Sequence, residues 1–283
     1  MPTNKRKISL LLLCFVLNGC SRSTQEPEKT TVSFIPEAPK EEITVPSFQQ
    51  AIREPHGYCY FLPPKGWDLA DQSKLSPRVK ICFIGKSSNN LLPSVNLATE
   101  EVDIPLKDYL DIVKRDCESD PNSQWRDLGK YNTPLGEGRL TEREVKTQWG
   151  VSRQVQLIVI KDKTAFILTA GSLKEEFSRH YKDFESVLRS LTITEDLTTQ
   201  VISEEKRIQL RQLVENLAGA FKKATDKIAV VEEAFDSKSF QKEAWEPFQQ
   251  KIINDFTEMG PYWQILLLRD VQHQLLQNLK RSA

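Results

Sequence analysis

The chain reads as an α+β protein, an antiparallel sheet flanked by helices, followed by an all-α C-terminal region. Three observations predict this. Short β-branched and aromatic runs separated by turn residues fill residues 58–170 without regular β-α alternation, which argues against a parallel doubly wound sheet. Apolar residues at helical spacing then run from Leu173 to Leu191. Beyond Thr198 only helical periodicity remains.

The elements follow in order. Tyr58-Cys59-Tyr60-Phe61-Leu62 is an aromatic strand stopped by Pro63-Pro64 and Gly66-Trp67. Val79–Ile84 and Val95–Val102 are strands, with turn chemistry at Ser87-Ser88-Asn89-Asn90 between them. Pro105 can open a helix, and Tyr109, Leu110, Val113 and Cys117 follow on one face. Residues 124–128 are extended, and Arg139–Gln148 and Val151–Ile160 alternate as strands do. Lys161-Asp162-Lys163 makes a tight turn into Ala165–Ala170, apolar enough for a central strand. Leu173, Phe177, Tyr181, Phe184, Leu188 and Leu191 form one continuous stripe, and Leu191–Thr194 is a short tail. Ser203 is suited to cap a helix, with Glu204 and Glu205 in its first turn. One near-heptad stripe extends from Leu210 to Phe235 and another from Phe240 to Phe256, which Pro247 should kink or restart. A third follows the break at Gly260-Pro261, through Ile265, Leu268, Val271, Leu275 and Leu279. These helices suit a hairpin or a three-helix unit.

The N-terminus carries an address. Lys5-Arg6-Lys7 precedes the apolar run Ile8–Leu17, and Leu17-Asn18-Gly19-Cys20 closes it with a small residue before a cysteine. That is the layout of a secretory signal peptide. A spanning helix needs roughly 20 apolar residues, more than this run supplies. The last four residues resemble the lipobox of bacterial lipoproteins. The resemblance implies cleavage between Gly19 and Cys20 and acylation of Cys20, so that the lipid bilayer is the first partner. Ser21 stands where an aspartate would imply inner-membrane retention, so the periplasmic face of an outer membrane is expected. Residues 1–19 are then the signal peptide, 20–50 a Pro-, Ser- and Glu-containing tether, 51–198 the sheet domain and 199–283 the helical region.

The segment from Tyr58 to Ile193 also resembles the Mog1/PsbP-like fold, including bacterial relatives of the DcrB type. The features that carry the resemblance are Tyr60-Phe61-Leu62-Pro63 with Gly66-Trp67, and Ser94-Val95-Asn96-Leu97 before a helix around Tyr109-Leu110. Leu135-Gly136 before a long hairpin and Ala165–Thr169 before a helix with Phe184, Val187 and Leu188 complete it. The resemblance implies a non-enzymatic binding or assembly factor with no shared catalytic set.

Charge excludes one class of partner. The 39 Lys+Arg and 39 Asp+Glu cancel overall and within each half, leaving no basic face for nucleic acid. Gly85-Lys86-Ser87 ends like a phosphate loop, but Lys80 stands where the loop needs its first glycine. His56, His180 and His273 are scattered and no C-x-x-C occurs, so no metal or other cofactor is expected. Cys59 and Cys82 lie in consecutive strands and could form a disulfide. The odd number of cysteines left after Cys14 and Cys20 favours small buried thiols instead. Trp245 and Trp263 each sit beside a helix break, and an exposed indole there would anchor a protein partner. The expected function is a lipid-anchored, non-catalytic binding or assembly role at the cell envelope. Two readings stay open beside it: a hydrolase with paired carboxylates in a groove of the sheet, and a carrier of a small ligand.

Overall fold

The computed structural model describes residues 57–228 and 230–280, with side chains to residue 277. The readings on Leu17, Asn18, Gly19, Cys20 and the tether lie outside the described residues.

Among the described residues, nine strands form two antiparallel sheets: β1 (Tyr58–Tyr60), β2 (Asp68–Leu69), β3 (Val79–Ile84), β4 (Ser94–Glu101), β5 (Ser123–Thr133), β6 (Gly136–Thr147), β7 (Gly150–Lys161), β8 (Thr164–Leu173) and β9 (Thr192–Thr194). The large sheet has the order β2-β3-β4-β8-β7-β6-β5, and β1 pairs with β9 in a small one. Every pairing is antiparallel. The β7–β8 turn places Asp162 and Lys163 at φ 48° and 65°. Two successive left-handed residues match the twist of a two-residue hairpin.

Strand alternation gives the large sheet two different faces. The first face carries Val95 and Leu97, Phe166, Leu168 and Ala170, and Val155, Leu157 and Val159, all buried. Helix α2 (Phe177–Arg189) covers part of it with Phe177, Phe184, Val187 and Leu188. The opposite face has two apolar patches: a small cluster around Cys82 with Ala70 and Val79, and a larger one where Ile158 and Ala165 pack against Tyr109, Leu110, Val113 and Cys117 of α1 (Leu106–Glu118). Those four are the stripe expected from spacing. The stripe expected for α2 is shorter than its pattern. Leu173 completes β8, and Tyr181 is 54% exposed. The chain must first turn, with Glu176 N–H donating to the Leu173 carbonyl, before the helix begins.

A buried ion cluster ties α2 to the first face. Glu142, 4% exposed, accepts from Arg126 Nε at 2.8 Å and from Arg153 Nε at 2.8 Å. The Arg153 guanidinium lies 4.6 Å from the centre of the Phe177 ring. Removing one partner from a buried pair costs about 3–5 kcal/mol. Here both guanidiniums reach water, Arg126 most of all, so they can rehydrate. Glu142→Ala is therefore expected to lower stability by about 2 kcal/mol, read from the urea midpoint.

The helical region consists of α3 (Glu204–Thr225), α4 (Val231–Asp236), α5 (Lys238–Phe240), a π-turn (Gln241–Trp245), α6 (Glu246–Asp255) and α7 (Gly260–Lys280). Ser203 caps α3, its Oγ accepting from Lys206 N–H. The stripe from Leu210 to Phe235 is not one helix. Fourteen residues of continuous helix would separate Phe221 and Phe235 by about 21 Å, yet their ring centres are 5.9 Å apart. The break after Thr225 folds α4 back, so that Phe221, Phe235 and Phe240 form one aromatic cluster. Pro247 falls in the first turn of α6, directly after the π-turn. A proline lacks the amide for the i−4 bond, and the wide turn absorbs the loss.

The helices share the sheet's core. The Tyr262 hydroxyl donates to the Cys59 carbonyl at 3.0 Å, and its ring packs against Phe61 and Phe83. Trp263 Nε1 donates to the Leu197 carbonyl at 3.0 Å, and Tyr58 donates to Asp270. One hydrophobic cluster thus runs from Tyr58 through the first face of the sheet to Leu275.

Candidate functional site

The sheet's second face changes character beyond α1. Register brings Asn96, Thr169, Gln156 and Thr141 into one row across β4, β8, β7 and β6. Ser94, Gly171, Gln154 and Arg143 form the neighbouring row. These rows bear amides and hydroxyls where a core would bear hydrocarbon. Above them lies a cleft of about 50 Å³, bordered on one side by Leu91 and Leu92. At roughly 10–15 Å³ per water-sized occupant, it has room for a group of three or four heavy atoms.

Local sequence builds this cleft. The loop carrying Leu91 and Leu92 is closed by Gly85 N–H donating to the Pro93 carbonyl at 2.8 Å. It is tied to the start of α2 by Ser87 Oγ, which donates to the Glu176 carboxylate at 2.9 Å. Gly85-Lys86-Ser87 therefore serves as a loop anchor. A Cβ on Gly85 would lie 2.8 Å from the Trp67 ring, so the glycine admits that indole. Gly171 gives the cleft its floor. A Cβ there would meet Gln154 Cγ at 2.8 Å and the Arg153 carbonyl oxygen at 3.0 Å.

Most polar groups of the cleft are spoken for. Arg143 Nε donates to Ser123 Oγ at 2.8 Å, and its guanidinium lies 3.8 Å from Asp120. Gln156 donates to Thr169, and Gln154 reaches Ser152 at 3.4 Å. Asn96 differs. It is 1% exposed, it lines the cleft, and neither its Oδ1 nor its Nδ2 has a hydrogen-bond partner. Leaving a buried polar group without a partner costs about 1–3 kcal/mol. The neighbouring Cys82 thiol, opposite Asn96 in register, is pushed up to about 12 by burial and stays protonated at neutral pH. The lining carries one cation, Arg143, and neither carboxylate nor histidine. Such a site can bind through amides and hydroxyls, and it lacks a group to relay protons.

The structure decides one open pairing in favour of buried thiols and corrects one expectation. Cys59 and Cys82 do not pair. They belong to different sheets and different clusters, and each is a buried thiol outside any disulfide, as is Cys117. Trp245 and Trp263 are not exposed anchors. Trp245, 6% exposed, packs against Phe235 and Phe248, and Trp263 is 0% exposed. Each helix break turns its indole inward, because the chain folds back at that point. His180, half-buried, packs edge-on against Trp67 and beside Phe184. Asn96 was legible only faintly, as an amide between Val95 and Leu97 in a strand whose other interior residues suit a sheet.

Among the described residues, no helix is long and apolar enough to cross a membrane, and no group of three His, Cys, Asp or Glu could hold a metal ion.

No protein-family model and no curated protein matches this chain. Solved structures do resemble it over about half its length. The cyanobacterial PsbP protein CyanoP from Synechocystis sp. PCC 6803 is 15% identical, with 48% of this chain and 86% of that one covered at a TM-score of 0.38. LpqN, a protein involved in cell envelope biogenesis of Mycobacterium tuberculosis, is 14% identical, with 50% and 86% covered at 0.39. PA94 from Pseudomonas aeruginosa, of unknown function, is 10% identical, with 46% and 99% covered at 0.36.

Proposed function

We propose that this chain is an exported bacterial lipoprotein whose sheet domain, of Mog1/PsbP-like build, has a non-catalytic binding role at the cell envelope. Acylated Cys20 holds it to the membrane, and the Ser21 that follows directs it to the periplasmic face of the outer membrane. The signal layout ending in Leu17-Asn18-Gly19-Cys20 supports the anchor. One observation carries the binding role: Asn96 keeps an unpartnered amide in a cleft whose lining offers no general base.

Lipidation is checked by fractionation. A diacylglyceryl group supplies two chains, enough for stable attachment at about 0.8 kcal/mol per buried CH₂. Wild-type protein is expected in membranes, labelled by a palmitate analogue. Cys20→Ser is expected unlabelled and in the soluble fraction, and continued membrane association of that variant would remove the anchor. A hydrolytic turnover abolished by one substitution in a folded protein would remove the non-catalytic reading.

A further inference from the structure

We infer that the second-face cleft takes a neutral carboxamide presented by a peptide, with Asn96 as the recognition residue. The inference rests on the binding role above and names its ligand class.

Asn96 is the starting point because it is enclosed and unsatisfied at both ends of its amide. A buried asparagine without partners is a net loss to the fold, and an apolar side chain there would carry no such penalty. The position is the third of β4, paired on both sides to β3 and β8, so the amide cannot swing out to water by a backbone shift. Its surroundings select the ligand. An occupant must donate to Oδ1 and accept from Nδ2. A carboxamide does both with a few atoms, which is what the cleft's 50 Å³ can hold.

Charge and shape narrow the class. A carboxylate ligand could accept from Nδ2, but it would leave Oδ1 facing a second acceptor. The one cation of the lining already donates to Ser123 and faces Asp120. The lining also has no aromatic ring to stack on a sugar. Leu91, Leu92 and Val145 at the margin instead suit the short aliphatic carbons that flank an amide in a peptide.

The test uses the full chain in detergent, titrated calorimetrically with three probes. They are N-acetylglycinamide, its carboxylate counterpart N-acetylglycine, and glucose, a sugar without an amide. The neutral diamide is expected to saturate the protein and raise its thermal midpoint, as a native-state ligand must. N-acetylglycine is expected to bind about tenfold more weakly or worse. Asn96→Leu is expected to lower affinity for the diamide by about tenfold or more, while the ligand-free variant melts no lower than wild type. That combination separates a recognition residue from a structural one, whose loss would lower the midpoint. If Asn96→Leu does not fold, Asn96→Ser supplies the affinity comparison. The inference is overturned if the diamide does not bind, if the carboxylate or the sugar binds better, or if the Asn96 variants bind as wild type. Membrane fractionation of Cys20→Ser does not depend on the cleft, so either idea can fail without the other.

Discussion

A chain that ends at Ser203 is expected to lose cooperative unfolding and to bind a hydrophobic dye at room temperature. Sequence periodicity divides the molecule after residue 198, yet the packing does not. Without the helices, β1 loses the Tyr262 hydroxyl on the Cys59 carbonyl and the Asp270 partner of Tyr58. Phe61 and Phe83 lose the Tyr262 ring that closes over them, and Leu197 loses the Trp263 indole. An aromatic side chain buries about 150–250 Å². At about 25 cal/mol per Å² each of these two contributes roughly 4–6 kcal/mol, as an upper bound. A domain of this kind holds only about 5–15 kcal/mol in total. Two residues of α7 therefore carry a share comparable to the whole. Circular dichroism with urea provides the measurement. A truncated chain that unfolds in one sharp transition at the wild-type midpoint would show that residues 57–203 are self-sufficient.

The same comparison shows where sequence patterns inform and where they mislead. Period-two alternation located β6 and β7, β-branched and apolar runs located β3, β4 and β8, and pairing follows from the turns between them. The α1 stripe was legible for the same reason, since Tyr109, Leu110, Val113 and Cys117 all meet one patch of sheet. The helical region was legible in content and not in path. An apolar stripe reports that residues are buried; it does not report that they are buried by one continuous helix. Phe221 and Phe235 have helical spacing and yet meet, together with Phe240 of the next stripe, around a chain reversal. Trp245 and Trp263 failed as anchors on the same ground, because proximity to a break says nothing about which way the ring turns. The cleft was the least legible part. It arises from four strands placed side by side, and Asn96, Thr169, Gln154 and Arg143 are up to 73 residues apart in sequence before register unites their rows. Only the position of a lone asparagine inside β4 hinted at it.

Trp263→Ala is expected to be the most destabilising single substitution, at about 4–6 kcal/mol. The indole is fully enclosed, lies 6.1 Å from the Phe256 ring, and sits where α7 meets the turn after β9. Truncating a buried Phe or Trp to Ala costs about 3–5 kcal/mol, because the surrounding atoms cannot close the cavity. The substitution also strands the Leu197 carbonyl, which would add about 1 kcal/mol or more. Trp263→Phe divides the two contributions. It keeps most of the ring volume and removes the donor, so it is expected to cost about 1–3 kcal/mol. Urea unfolding of the three proteins measures both differences. A cost for Trp263→Ala below about 1 kcal/mol, the range of an exposed side chain, would mean that the indole is not enclosed in solution. The role of partner anchor that its burial denies it would then have to be restored.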